Sequence, residues 1–161
     1  MSNAKTQANL QKAIEMELGA VHQCQLHSHV LEDWGLSGLA REMQGEVAEE
    51  MGHSDRFIER LIFIGGTPVL TMKQELKPAP DLKTLFSRDL ADEKEAIRFY
   101  SAAAKQADAE DDIGSRKLFE EIVMDEEGHM AWLELQLSLI ERMGEALYIS
   151  KHLEGAPQET A

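Results

Sequence analysis

Two short motifs in the chain place a histidine three residues after a glutamate. They are Glu50-x-x-His53 and Glu126-x-x-His129, and they lie 76 positions apart. On a helix this spacing puts the carboxylate and the imidazole on one face, on adjacent turns. Carboxylates and imidazoles without a thiolate suit iron or manganese, and zinc can compete for the same donors. The motifs therefore predict metal chemistry.

Two further glutamates precede these motifs at equal distances. Glu17 stands 33 positions before Glu50, and Glu93 stands 33 positions before Glu126. The equal spacing predicts an internal pseudo-two-fold relation between the two halves of the chain. A structural zinc site takes four ligands, so four carboxylates and two imidazoles are too many for one such ion. The set predicts a pair of metal ions instead.

Helices must position these side chains, because apolar residues recur at helical spacing and the alternation typical of strands is absent. We predict an all-α chain with helices at about 4–33, 39–64, 81–107, 115–143 and 145–153, and a tail over 154–161. The short turns within the first and second helix pairs predict two antiparallel hairpins. The linker between the hairpins, about 15 residues long, can extend on the order of 50 Å. This predicts a four-helix bundle with one long crossover, the ferritin-like arrangement, and a short fifth helix.

Each long helix carries a glutamate at the centre of an apolar stripe. In the first helix, for example, Leu10, Ile14 and Val21 share a face with Glu17. A buried carboxylate without a partner costs several kcal/mol, and facing carboxylates repel one another. Bound cations or protonation would relieve both costs. One alternative is a solvated acidic face, and another is a helix phase shifted by one position, in which Glu49 or Glu127 would replace the ligands. The repeated motif and the four matching stripes favour the metal site.

Composition narrows the class of protein further. The chain has 161 residues and a formal net charge of −14, so we expect it to repel nucleic acid and anionic membranes. A single cysteine, Cys24, excludes an internal disulfide framework. No apolar run approaches the roughly 20 residues that a spanning helix needs. We predict one domain over residues 1–161 in the cytoplasm.

Several segments give the chain a resemblance to a known family. They are Glu17-Leu18, LEDWGL at 31–36, Glu49-Glu50-Met51-x-His53, IERLIF at 58–63, Arg88-Asp89-Leu90-Ala91 and DEEGHMAWL at 125–133. On these segments the chain resembles the bacterioferritins over nearly its whole length. The resemblance implies a di-iron centre in which Glu17 and His53 hold one iron and Glu93 and His129 hold the other, with Glu50 and Glu126 as bridges.

The resemblance also implies an activity and an assembly. It implies a ferroxidase that oxidises Fe(II) with O2 or peroxide and stores the ferric mineral in a 24-subunit shell built from dimers, for iron storage and detoxification. A ferredoxin or reductase would release the iron. The open alternatives are a non-storing dimetal oxidase or peroxidase, and a haem- or iron-binding partner subunit with weak catalysis.

One further residue role comes from the resemblance, together with three departures from the family pattern. Met51 would be an axial ligand of haem b at a two-fold subunit interface. The family usually has a tyrosine and a phenylalanine where this chain has Cys24 and Gln25, and often a histidine where Gly45 stands. Tyr100, the internal counterpart of Cys24, keeps a phenol on the opposite half.

Overall fold

Five helices make up the computed structural model, which describes residues 3–71 and 75–153. They are α1 (Ala4–Asp33), α2 (Ser37–Phe63), α3 (Leu82–Ala109), α4 (Ile113–Met143) and α5 (Glu145–His152). The main packing pairs are α1 with α2 and α3 with α4, and α1–α3 and α2–α4 contacts join the two hairpins. The all-α bundle with a short fifth helix is confirmed. The predicted tail over 154–161 lies outside the described residues.

Several helix ends differ from the sequence prediction by one or two residues, for local reasons. Asp81 lies outside α3 as its N-cap, because its side chain accepts a hydrogen bond of 2.7 Å from the Thr84 backbone N–H. Asp112 caps α4 in the same way, so α4 begins at Ile113. Gly35 takes the positive φ of the first turn, which lets α2 begin at Ser37. The other differences are α2 ending at Phe63, α3 extending to Ala109 and α5 ending at His152.

The interior consists of two apolar clusters. The Tyr100 cluster contains Leu10, Ala13, Ile14, Phe57, Leu61, Tyr100, Ala103, Ala104, Phe119 and Ile122. The Phe86 cluster contains Cys24, Leu31, Leu36, Leu39, Ala40, Met43, Ala79, Leu82, Leu85, Phe86, Leu133, Ile140 and Tyr148. Every long helix contributes to both clusters. On each helix, the predicted metal-ligating side chains fall in the sequence between its contributions to the two clusters.

The order of these contributions fixes the direction of the helices. Both α2 and α3 contribute to the Phe86 cluster near their N-terminal ends and to the Tyr100 cluster near their C-terminal ends, so the two helices are parallel. Their connection must therefore return along the bundle. Gln11 on α1 holds part of this connection, since its side chain accepts a 2.9 Å hydrogen bond from the Val69 N–H and donates a 2.8 Å bond to the Val69 carbonyl.

The short helix α5 closes the end of the bundle at the Phe86 cluster. Its Tyr148 is fully buried and donates a 2.7 Å hydrogen bond to the side-chain oxygen of Gln136 on α4. None of the described helices is both long enough and apolar enough to cross a membrane.

Candidate metal centre

The six predicted metal-ligating side chains converge at the middle of the bundle. One group of ligand atoms, all within 4.8 Å of one another, comes from Glu17, Glu50, His53 and Glu126. A second group of the same kind comes from Glu50, Glu93, Glu126 and His129. The two groups share Glu50 and Glu126. The arrangement is two adjoining half-sites, each with a carboxylate and an imidazole of its own.

The His53 ring presents one nitrogen to the centre and the other away from it. Its Nδ1 lies 3.2 Å from Glu126 Oε1 and 3.3 Å from Glu50 Oε2. Glu17 Oε2 is 3.6 Å from the same nitrogen. On the far side of the ring, Nε2 lies 3.3 Å from Oδ2 of Asp125, which comes from the facing helix α4. Such an outer carboxylate fixes the orientation of an imidazole that ligates a metal.

His129 has the same orientation in the other half-site. Its Nδ1 lies 3.2 Å from Glu126 Oε2 and 3.8 Å from Glu93 Oε1. Its Nε2 lies 2.9 Å from Glu46 and 3.4 Å from Glu49, both on the facing helix α2. Each histidine thus has inner carboxylates on one nitrogen and outer carboxylates, from across the bundle, on the other.

Comparisons with known proteins agree with this architecture. A model of the ferritin-like domain matches residues 7–143. Bacterioferritin of Brucella melitensis is 39% identical over 94% of this chain and 93% of its own, and bacterioferritin of Rhodobacter capsulatus is 37% identical over 88% of each. The chain belongs to the bacterioferritin family. The solved structure of the Rhodobacter capsulatus protein superimposes with a TM-score of 0.92 at 35% identity and covers 99% of both chains.

Family membership confirms the resemblance found in the sequence and supports iron storage as the function of this chain. The Rhodobacter capsulatus structure is described as having a metal-free dinuclear site and a haem iron.

Burial strongly raises the pKa of Glu17 and of Glu93, the two carboxyls that are not shared between the half-sites. It raises the pKa of Glu17 well above its ordinary value, and the nearby Glu50 carboxylate adds to the rise. Burial also raises the pKa of Glu93, to about 11, with the carboxylate of Glu126 beside it. Burial therefore favours the protonated, neutral form of both carboxyls.

For the shared carboxylates and the imidazoles, the pKa shifts favour the charged forms. Burial opposes the charge on Glu50 and Glu126, but the two imidazoles close beside them hold the pKa of each carboxyl below its ordinary value. Burial likewise opposes a charged His53, but the surrounding carboxylates raise its pKa to about 12, and the pKa of His129 is also raised. The charged forms of the two imidazoles and of the two shared carboxylates therefore stabilise one another.

A cavity of about 260 Å³ leads from the surface between α1 and α3 to the centre. Its wall includes the four central glutamates Glu17, Glu50, Glu93 and Glu126, and its outer part includes Lys12, Glu15, Gln23, Asp92 and Glu95. The carboxylates that face each other in the interior are thus accessible to a small ion.

Sequence reasoning missed the outer partners of the histidines, although a signal for one pair was present. Glu49 and Asp125 are related by the same offset of 76 as the motifs themselves, and the structure places each beside the histidine of the opposite half-site. The hydrogen bond from Tyr100 to Glu17 was also not predicted, because it joins residues on different helices.

Proposed function

We propose that the chain is a ferroxidase subunit of an iron store. It oxidises Fe(II) to Fe(III) with O2 or peroxide at the paired half-sites, and the product is stored inside a 24-subunit shell. The observation that carries this proposal is the pair of ligand groups joined through Glu50 and Glu126. Two adjoining sites allow two one-electron donors to react with one two-electron oxidant. Two Fe(II) ions give up two electrons, which with two protons convert O2 to hydrogen peroxide, or peroxide to water.

In this proposal the side chains have distinct roles. Glu17 and His53 would hold one Fe(II) and Glu93 and His129 the other, while Glu50 and Glu126 would contact both. Hard carboxylate oxygens favour the more highly charged Fe(III) product over Fe(II). Each imidazole must lose its proton from Nδ1 to bind a cation, and the outer carboxylates keep Nε2 as the protonated nitrogen.

The remaining predictions about assembly and location also belong to this proposal. Large apolar side chains at the surface, among them Phe63 at 77% exposed, support a homo-oligomer. The unpaired Cys24 is consistent with the predicted cytoplasmic location. A single domain over residues 1–161, assembly from dimers into 24 subunits, and a ferredoxin or reductase partner stay predictions.

Met51 is the residue that we propose as a haem ligand. It lies on α2 next to Glu50, yet its side chain is 42% exposed, whereas Glu50 is buried. A thioether is an established axial ligand of haem iron, and one exposed thioether from each of two subunits would complete an axial pair. The haem would supply a route for single electrons across the subunit interface.

Replacing Met51 with leucine is expected to abolish the Soret band of the purified protein, because leucine keeps the apolar volume but has no sulfur. The exposed Met124 on α4 offers a matched control, and Met124→Leu should leave the band unchanged. A visible spectrum of each variant after haem reconstitution is the measurement. A Soret band of full intensity in Met51→Leu would rule out this ligand.

The test of the proposed function is a titration of the apoprotein with Fe(II) in air, following ferric absorbance while light scattering gives the particle mass. We expect two Fe(II) per chain to be oxidised rapidly on a 24-subunit particle, followed by slower uptake of many more. A small oligomer that saturates at two per chain would instead indicate a non-storing dimetal enzyme. A full shell without a fast phase would contradict the ferroxidase assignment.

A further inference from the structure

The two half-sites differ in the support that their own carboxyl groups receive. Tyr100 donates a hydrogen bond from its phenol to Oε1 of Glu17. The internal offset places Cys24 at the corresponding position of the other half, and a thiol is a weak donor. Among the residues that the structure describes, no hydroxyl group donates to Glu93. The carboxyl of Glu17 is therefore held in place, and that of Glu93 lacks the equivalent support.

The Tyr100 phenol is itself held rigidly. Its ring is 1% exposed and packs against Phe57, Phe99 and Phe119, with ring centroids 5.4, 5.8 and 6.0 Å away. Three aromatic neighbours leave the ring little freedom to rotate away from Glu17.

The counterparts of these rings on the other half are not aromatic. The positions that correspond to Phe57 and Phe119 are Leu133 and Met43, which pack in the Phe86 cluster with Cys24. The internal symmetry of the ligands thus does not extend to their supporting side chains.

Solvent access differs in the same direction. The side chains of Glu17 and His53 are 1% and 4% exposed. Those of Glu93 and His129 are 12% and 10% exposed. A cation in the second half-site is therefore closer to water, which competes for its coordination positions.

Both histidines also have carboxylates on their outer side. His129 has two outer carboxylates, Glu46 and Glu49, and the three residues offer ligand atoms within 4.8 Å of one another. The counterpart of Glu46 on the other half is the fully buried Ile122. The His53 half nevertheless has a corresponding outer group, formed by Glu49, His53 and Asp125, so the difference between the halves lies in the support and burial of their inner ligands.

We infer that the two half-sites bind divalent cations unequally, with Tyr100 as the positioning residue that makes the Glu17–His53 half the tighter one. The first cation binds there and stays, whereas the Glu93–His129 half fills second and exchanges with solvent. A ligand that is already ordered loses less freedom when the cation binds. Loss of one outer-shell hydrogen bond typically lowers metal affinity 10- to 100-fold. This inference rests on the proposed function, since it concerns the same paired site.

Cobalt(II) tests the inference without any turnover, because its visible spectrum reports binding. Anaerobic titration of the apoprotein is expected to show two steps per chain, separated by roughly 10- to 100-fold in affinity. His53→Ala should remove the tight step and His129→Ala the weak one. Tyr100→Phe, which keeps the ring and removes only the hydroxyl, should weaken the tight step by about the same factor and leave the weak step in place. Cys24→Ala is the matched control and should leave both steps unchanged.

Each outcome separates the inference from the function on which it rests. Two equal steps in the unmodified protein, or an unaltered tight step in Tyr100→Phe, would overturn the unequal half-sites while leaving a paired metal centre. Equal weakening of both steps would assign Tyr100 a general structural role and would also overturn the inference. Failure of the unmodified apoprotein to bind cobalt at all would contradict the proposed function itself.

Discussion

Replacing Glu50 with alanine is expected to abolish the fast phase of Fe(II) oxidation while the helical fold persists. Glu50 belongs to both ligand groups, so its removal damages both half-sites at once. The loss should exceed the roughly 10- to 100-fold effect that follows from removal of an outer-shell partner. Folding should be preserved, because the side chain contributes charge rather than apolar packing to the interior. Stopped-flow absorbance would measure the rate and circular dichroism the fold.

A matched control is available on α4. Glu127 is exposed and directly follows Glu126, so Glu127→Ala deletes the same charge beside the centre without removing a ligand. It should oxidise Fe(II) at the rate of the unmodified protein. The Glu127→Ala variant also tests the register of α4, because a shift by one position would exchange the roles of Glu126 and Glu127. A fast phase that survives in Glu50→Ala, or disappears in Glu127→Ala, would show that the ligands are assigned wrongly.

Loading the apoprotein with Zn(II), which cannot be oxidised, is expected to raise its thermal midpoint substantially. The ligands converge only in the folded chain, so the cation binds the native state and not the unfolded one. Free ion at 100 times the dissociation constant adds about 2.7 kcal/mol per site. For a chain of this length that corresponds to a shift on the order of 5–10 °C for each filled site. Differential scanning calorimetry with and without Zn(II) would measure it.

The rise in thermal midpoint that Zn(II) causes should depend on pH. In the metal-free centre, the pKa of Glu17, Glu93, His53 and His129 is raised, which favours the protonated form of each group. Cations must displace these protons, so Zn(II) binding should release protons and weaken as the pH falls.

Two results would contradict this account of the zinc effect. Isosteric Glu50→Gln should reduce the stabilisation sharply, and a full shift in that variant would place the bound ion elsewhere. A shift that is larger at pH 5 than at pH 7 would mean that protons do not compete with the cation.

Local periodicity let the sequence predict the helices and the candidate ligands. The α-helix repeats every 3.6 residues regardless of its surroundings, so Glu50 and His53 share a face wherever the helix packs. An isolated glutamate in an apolar stripe is costly, which marked Glu17 and Glu93 before any contact was known. The all-α bundle and the bacterioferritin resemblance are confirmed, while the ligand roles of the six residues stay predictions that the titrations above would test.

The support of each side chain, by contrast, depends on how the helices pack against one another. The orientation of His53, with Nδ1 inward and Nε2 towards Asp125, depends on how α2 and α4 face each other. The hydrogen bond from Tyr100 to Glu17 joins residues 83 positions apart. Helical periodicity fixes which face of a helix a residue occupies, but contacts between helices depend on their relative rotation and translation. Those are set by the packing of the whole interior, which is why the inequality of two half-sites with matching ligand motifs emerged only from the fold.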